Sequence, residues 1–203
     1  METGFRALHA REGCINMSEV KVFLADGFEE LEGLTVVDLM RRAGIKVNTV
    51  SIMGRKEIHG AHGIELTADE TFENADFSDA GMLVLPGGMP GTLHLKEHAG
   101  LKELLLKFNE EGNYLAAICA APTVLGGLGL LEGKKATCYP SMEDGLTGAK
   151  VLFENVVTDG NVTTSRGLGT AIDFALRLIE ILKGRETAAK LAEQIVYEQK
   201  RQK

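Results

Sequence analysis

The chain alternates short apolar segments with amphipathic segments along most of its length, and this alternation limits the folds open to it. Helical spacing of apolar residues fills residues 29–43, which Gly44 ends, and residues 98–111. Four apolar runs have the length and content of buried strands: residues 20–25, 46–52, 82–85 and 114–118. Strands separated by helices favour a mostly parallel sheet covered on both faces. We therefore expect an α/β fold whose ligands bind beyond the carboxyl ends of the strands.

The remaining patterns predict a turn-rich excursion, a short strand, a hairpin and two closing helices. These are expected at residues 57–66, 135–138, 156–165, 170–182 and 186–199. Residues 1–16 mix charged and apolar side chains without a signal-peptide core, and we interpret them as a flexible N-terminal extension. No Pro- or Ser-rich linker divides the rest, so residues 17–203 are expected to form a single domain.

Composition excludes several classes of protein. The 203 residues carry a formal net charge of −7 and no basic block, a poor match to nucleic acid or an anionic membrane surface. The longest nearly apolar stretch, residues 114–122, is too short to span a bilayer. Three cysteines cannot form a disulfide framework, so a cytoplasmic setting is expected. Of these, Cys14 is incidental and Cys138 is expected to pack.

The remaining cysteine, Cys119, lies directly after the fourth apolar run. Residues 117–122 read Ala-Ile-Cys-Ala-Ala-Pro, with small residues two positions before and two positions after Cys119. This spacing is typical of a nucleophile elbow, a sharp strand-to-helix turn. The dipole of the following helix favours a thiolate, so we expect the pKa of Cys119 to be lowered. The alternative is an inert cysteine that packs as a small hydrophobe.

A glutamate interrupts the apolar face of the first predicted helix. With residues 29–43 placed on a helical wheel, Glu32 falls between Leu39 and Ala43. A carboxylate there is either solvated near the helix end or buried with a raised pKa. Glu30 falls on the polar arc and fits the simpler role of a first-turn acid favoured by the helix dipole.

A glycine-rich turn follows the third apolar run. Residues 86–91 read Pro-Gly-Gly-Met-Pro-Gly and match neither the phosphate loop nor the dinucleotide fingerprint. Glycines expose backbone N–H groups, which can stabilise an oxyanion beside a nucleophile. The simpler alternative is a tight strand-to-helix turn. Three loops expected at one edge of the sheet thus supply a thiol, a carboxyl group and bare amides.

Four segments together resemble the ThiJ/PfpI family, most closely its parkinsonism-associated deglycase and glutathione-independent glyoxalase branch. They are residues 26–32, 84–88, 116–122 and 164–170. The resemblance covers nearly all of the chain beyond the extension. It implies a flavodoxin-like three-layer sandwich of the class I glutamine amidotransferase type, usually a homodimer. It also implies Cys119 as the reactive cysteine, Glu32 as its carboxyl partner, and Gly88 and Ala120 as sources of oxyanion amides.

Two positions depart from the family pattern. Tyr139 stands where members often carry histidine, and a phenol with a pKa of about 10 cannot act as a general base at neutral pH. Glu32 is therefore expected to carry more of the proton transfer. Ala120 stands where the peptidase-like branch has histidine directly after the nucleophile, so peptidase activity is disfavoured.

The resemblance implies an enzyme without metal or organic cofactor, a glyoxalase III-like hydro-lyase or deglycase. Its Cys119 would act on methylglyoxal, another small reactive aldehyde or a glycated substrate. The alternative is an oxidation-sensing stress-response or chaperone-like protein that uses the same cysteine. A third hypothesis, an inactive relative of the amidotransferases, predicts that Glu32 and Cys119 lie more than one water apart.

Other candidate residues have simpler interpretations. His94 and His98 have i, i+4 spacing, but no third ligand accompanies them, so no metal is expected. His59 and His62 lie in the turn-rich excursion, where we expect them to be solvated, at a dimer edge. Residues 163–170 suit either an anion site at a helix start or a plain helix entry.

Overall fold

The computed structural model describes residues 19–197, so the predicted extension, Cys14 and the end of the last predicted helix lie outside the described residues. Within this range no helix is long and apolar enough to cross a membrane. The strands are β1 (Glu19–Leu24), β2 (Val47–Ser51), β3 (Glu57–His59), β4 (Glu65–Thr67), β5 (Glu70–Thr71), β6 (Ala80–Leu85), β7 (Tyr114–Ile118), β8 (Lys135–Ala136), β9 (Lys150–Val151), β10 (Val156–Asp159) and β11 (Val162–Ser165). The helices are α1 (Glu30–Arg42), α2 (Gly91–Glu97), α3 (Ala99–Glu110), α4 (Pro122–Gly127), α5 (Ala171–Lys183) and α6 (Arg185–Gln194).

The main sheet of the described range has seven strands in the order β10-β11-β7-β6-β1-β2-β5. Neighbours pair in parallel except at one edge, where β10 runs antiparallel to β11. The predicted hairpin over residues 156–165 is therefore confirmed. The turn-rich excursion is also a hairpin, formed by the antiparallel pair β3–β4.

Alternation along the central strand β1 divides the core between two faces. Val22 and Leu24 pack in one buried cluster with Phe174 of α5. Phe23 belongs to the cluster on the other face, with Leu101 of α3. Because successive strand residues point to opposite sides, one strand serves both layers of helices. The expected α/β sandwich with a mostly parallel sheet is confirmed.

Two predicted helices have different bounds in the structure. The helix expected over residues 98–111 begins one residue later, because His98 has extended backbone angles and its Nδ1 accepts the Leu101 N–H at 3.0 Å. A separate helix, α2, precedes it, so His94 and His98 do not share one continuous helix. The last helix ends at Gln194, and Val196 turns into the left-handed region with φ 58°.

The sheet order brings three loops together. Strand β6 lies between β1 and β7 and is parallel to both, so the segments that follow these strands leave the same edge of the sheet. These segments carry the carboxyl group, the glycine-rich turn and the cysteine that the sequence singled out.

Candidate active site

Cys119 lies at a sharp turn between β7 and α4. It is a non-glycine residue with positive φ, 66°, a conformation that costs energy and is held by its surroundings. Its backbone N–H donates to the Ser165 carbonyl at 3.0 Å, and its carbonyl accepts the Tyr139 N–H at 2.8 Å. Pro122 occupies the first turn of α4, where its missing N–H leaves no bond unmade. The predicted elbow geometry is present.

Glu32 projects into the same site from the first turn of α1. Its surface is only 1% exposed, so of the two alternatives left open by its position on the apolar arc, solvated or buried, the buried one applies. One carboxyl oxygen accepts the Gly87 N–H at 2.9 Å, and the Cys119 thiol and the Leu168 N–H lie close enough to the carboxyl group to lower its pKa. The hypothesis of an inactive relative, with the two residues more than a water apart, does not fit this geometry, because Oε2 of Glu32 and Cβ of Cys119 both lie within 2.7 Å of the point where a Gly87 Cβ would stand.

The glycine-rich turn after β6 closes the floor beneath the pair. A Cβ on Gly87 would lie 2.6 Å from the Cβ of Cys119 and 2.7 Å from Oε2 of Glu32, so only glycine fits there. Gly88 has φ 92°, and a Cβ there would overlap the backbone of Glu29. The N–H groups of Gly88 and Ala120 lie close enough to the Cys119 sulfur to lower its pKa. Two backbone amides are thus available beside the reactive sulfur.

The electrostatics of the pair differ from the sequence expectation. Burial, with the nearby Glu29 charge, raises the pKa of Glu32 to about 7 against the opposing hydrogen bonds. Burial and the adjacent Glu32 carboxylate raise the pKa of Cys119 to about 12, although the two amides oppose this. The prediction of a lowered Cys119 pKa is therefore wrong for the resting pair. Burial and a neighbouring carboxylate outweigh a helix of only six residues.

Tyr139 lies at the mouth of the site rather than on the floor, with half of its surface exposed. A Cβ added to Gly167 would lie 3.3 Å from Cδ2 of Tyr139 and 3.8 Å from Oε1 of Glu32. The phenol ring and the carboxylate therefore border the same space. The ring forms a wall where the family pattern often has an imidazole.

A second buried carboxylate was missed by the sequence analysis. Glu30, expected on the polar arc, is 1% exposed because the β3–β4 hairpin covers it. Its Oε1 accepts the His62 N–H at 2.7 Å and its Oε2 pairs with His62 Nδ1 at 3.0 Å. Among the described residues, Glu29, Glu30 and His62 offer oxygen and nitrogen atoms within 4.8 Å, enough to hold a metal ion. The Glu30 oxygens already have N–H partners, so hydrogen bonding accounts for the cluster.

The other candidate residues lie outside the pair's surroundings or have structural partners. Cys138 is 3% exposed in the core, as expected, and burial raises its pKa to about 11. Thr170 caps the entry to α5, where its hydroxyl donates to the Gly167 carbonyl at 2.8 Å. His59 and His62 have exposed side chains, as expected.

Comparison with known proteins agrees with this architecture. The model of the DJ-1/PfpI family matches residues 18–181. Protein DJ-1 homolog B of Arabidopsis thaliana is 37% identical over 180 residues, 88% of this chain and 41% of that protein. The chain thus spans less than half of the length of this plant relative.

Two further relatives are shorter. The glutathione-independent glyoxalase DJR-1.2 of Caenorhabditis elegans is 34% identical over 160 residues, 78% of this chain and 84% of that protein. The structure of oxidized Toxoplasma gondii DJ-1 superposes with a TM-score of 0.86 at 34% identity, covering 90% of this chain and 100% of the other.

Proposed function

Because this chain belongs to the DJ-1/PfpI family, we propose that it is a cofactor-free glyoxalase that converts methylglyoxal or a related 2-oxoaldehyde into a 2-hydroxy acid. The observation that carries the proposal is the closeness of Cys119 and the buried Glu32, since Cβ of Cys119 and Oε2 of Glu32 both lie within 2.7 Å of the point where a Gly87 Cβ would stand. The Gly88 and Ala120 amides lie close enough to the sulfur to lower its pKa. A relative of similar length is named a glutathione-independent glyoxalase. Release of aldehydes from glycated substrates is a related activity of the same thiol.

The raised pKa values of Glu32 and Cys119 indicate a different role for each residue. A carboxyl group whose pKa is about 7 is matched to proton transfer at neutral pH. The Glu32 carboxylate takes the thiol proton as the sulfur attacks, so the thiolate forms only as the bond to substrate forms. Cys119 therefore does not need to be a free thiolate at rest.

The remaining steps need no external oxidant. Sulfur adds to the aldehyde carbon, and the Gly88 and Ala120 amides stabilise the oxyanion that forms. Glu32 then passes the thiol proton to this oxygen, which gives the hemithioacetal and restores the carboxylate. Glu32 moves the C1 proton by way of the enediol to C2, which gives the thioester of a 2-hydroxy acid. Water hydrolyses the thioester and returns the thiol. The aldehyde carbon is oxidised, the ketone carbon is reduced, and one water is added.

The test is enzymatic lactate formation from methylglyoxal by the purified full chain. Cys119→Ser is expected to abolish it. Cys138→Ala serves as the matched control, since this second thiol lies in the core, and it should retain activity in the folded protein. Lactate formation that survives Cys119→Ser would overturn the proposal.

A second candidate function uses the same residues. Peroxide would oxidise the Cys119 thiol to a sulfinate, two peroxides giving two waters, and a protonated Glu32 would donate a hydrogen bond to it. The raised pKa of Glu32 favours this alternative, as does the oxidized state of the Toxoplasma gondii relative. Intact mass after mild peroxide should show a gain of two oxygens that Cys119→Ser removes. A gain that persists in this variant would contradict oxidation sensing at Cys119.

We also propose that the protein is a homodimer, as the family resemblance implies. Leu31 of α1 and Ile64 of the β3–β4 hairpin expose 52% and 48% of their surfaces. Glu30 joins the two elements, since its Oε1 accepts the Ile64 N–H. Light scattering should give twice the chain mass, and Leu31→Glu should give the chain mass. A monomeric wild-type protein would refute the dimer.

A further inference from the structure

Three exposed side chains with large apolar surfaces stand beside the candidate active site, and the proposed chemistry does not use them. Met89, Tyr139 and Leu168 expose 51%, 50% and 49% of their surfaces. Single exposed hydrophobic residues are ordinary, but a group gathered at one site marks a binding surface. We call these three residues the rim.

Each rim residue is tied through the backbone to an atom of the site. Met89 follows Gly88, whose N–H lies close enough to the Cys119 sulfur to lower its pKa. Leu168 follows Gly167, where an added Cβ would lie 3.8 Å from Oε1 of Glu32, and the Leu168 amide lowers the pKa of that carboxyl group. The Tyr139 N–H donates to the Cys119 carbonyl at 2.8 Å. The rim therefore comes from three different loops that converge on the same pair.

The floor of the site leaves no room for a large substrate. The point where a Gly87 Cβ would stand is within 2.7 Å of both Cys119 and Glu32 side-chain atoms, so no further atom fits between Gly87 and the pair. Glu32 itself is 1% exposed. A substrate whose carbonyl carbon bonds to the sulfur must therefore direct its substituent outward, toward the rim.

The chemistry of the rim indicates which substituent it favours. None of its three side chains is charged at neutral pH, so they offer no ion pair to a phosphate or a carboxylate. A phenol ring offers a flat face for aromatic stacking, and the thioether of methionine adapts to irregular apolar shapes. A methyl group is too small to contact all three.

We propose that the rim makes this site selective for 2-oxoaldehydes with an aromatic or bulky apolar substituent, the arylglyoxal class, over methylglyoxal. This inference rests on the proposed glyoxalase function and specifies its substrate. Phenylglyoxal would follow the same steps, and with one water it would give mandelate.

The test compares kcat/KM for phenylglyoxal and methylglyoxal in the wild-type protein and in rim variants. The ratio of the two values cancels any loss that affects both substrates. The triple variant Met89→Ser, Tyr139→Ser, Leu168→Ser should lower this ratio at least ~10-fold, as expected when apolar contacts to a substituent are lost. An unchanged ratio, with wild type turning over both aldehydes, would overturn the inference while the proposed function stands.

Two further variants separate the rim from general effects. Tyr139→Phe should keep the preference, because the ring rather than the hydroxyl makes the contact. If Tyr139→Phe lowers the ratio of the two kcat/KM values as much as Tyr139→Ser does, the selectivity does not come from an apolar wall. Tyr114→Ser is the matched control, because Tyr114 is 37% exposed at the opposite end of β7; it should leave both kinetic constants unchanged.

A binding measurement keeps the inference testable without turnover. Mandelate and lactate, the two products, can be titrated into the Cys119→Ser protein and followed by NMR. Mandelate should bind at least ~10-fold more tightly, and the triple variant should remove the difference. Tight mandelate binding to the Cys119→Ser protein, with no turnover of either aldehyde by the wild-type protein, would reject the glyoxalase function and support the rim. Equal binding of mandelate and lactate would reject the rim.

Discussion

Glu30 and Glu32 lie two residues apart in the first turn of α1, and both are 1% exposed, yet their carboxyl groups have opposite properties. Burial alone would raise the pKa of Glu30, but hydrogen bonds from the His62 side chain and from the His62 and Ile64 amides lower it overall. Burial dominates at Glu32 and raises its pKa to about 7. Equal solvent exposure therefore does not determine the charge state of a carboxyl group, because Glu30 lies just beneath one hairpin whereas Glu32 lies much deeper.

The difference lies in what covers each carboxylate. The hairpin that buries Glu30 provides N–H donors and an imidazole, which favour the ionised form. The loops around Glu32 provide two amides and a thiol, which lower its pKa, but deep burial and the nearby charge of Glu29 outweigh them and leave the neutral form competitive. Glu30 is thus suited to holding a hairpin on α1, and Glu32 to exchanging a proton with the thiol.

The largest expected effect is on catalysis. Glu32→Gln removes the proton acceptor of Cys119 and should lower kcat/KM for methylglyoxal by about 10²–10⁴-fold, the usual worth of a general base. Glu30→Gln keeps the pair intact and should cost far less, because Glu30 contacts the hairpin rather than the sulfur. Steady-state kinetics of both variants decide this. Equal losses would show that the two carboxylates act through one structural effect.

The pH dependence of the rate should follow Glu32. The reacting form needs the Glu32 carboxylate, so kcat/KM should rise with pH through about 7, the value to which burial raises the pKa of Glu32. Glu30→Gln should preserve this profile, whereas the residual activity of Glu32→Gln should lack the rise. A midpoint between pH 4 and 5, as for an exposed glutamate, would show that the carboxyl group is not desolvated.

The sequence located the pair but not its electrostatics. Cys119 was recognised by the small residues around it and Glu32 by its place on an apolar arc, because both signals are local. Burial, together with a carboxylate 87 positions earlier in the chain, raises the pKa of Cys119, and only the tertiary fold produces both.

Other misses have the same origin. The burial of Glu30 depends on a hairpin that covers it from residues 57–67, and a helical wheel considers one helix alone. The start of α3 was predicted one residue early, because the helical spacing of apolar residues does not reveal that the His98 side chain caps the helix. The mostly parallel arrangement of the sheet, by contrast, was predicted from an alternating pattern that extends over most of the described chain.

Folding stability should respond to the two carboxylates with opposite signs. The folded-state pKa of Glu32 is raised from 4.5 to about 7, so the native state keeps a proton that the unfolded state releases. This contribution to stability is lost as pH rises between these values. The free energy of unfolding of Glu32→Gln, relative to that of wild type, should therefore rise by about 3 kcal/mol between pH 4 and pH 8, at 1.36 kcal/mol per pKa unit. Urea unfolding at both pH values measures it.

Glu30→Gln should change the free energy of unfolding in the opposite direction, and the same urea unfolding measures it. The pKa of Glu30 is lowered, so its contribution to stability is present above the unfolded value of 4.5 and is lost as pH falls below it. At pH 8 the variant should be destabilised by about 1.5–3 kcal/mol, the usual worth of hydrogen bonds to a charged group. A stabilised Glu30→Gln protein would contradict the contrast drawn between the two carboxylates.

The smallest expected effect comes from His62, which completes the coverage of Glu30. Hydrogen bonding to Glu30 and its charge raise the pKa of His62, so the stabilising pair is fully formed below pH 6.5, its ordinary value, and is lost as pH rises through the folded-state value. His62→Ala should therefore destabilise the protein more at pH 5.5 than at pH 8.5. His59→Ala, on the same hairpin but outside the Glu30 contacts, is the matched control. If the loss at His62 is independent of pH, Glu30 is held by the backbone amides of the hairpin, and the imidazole contributes no charge to the pair.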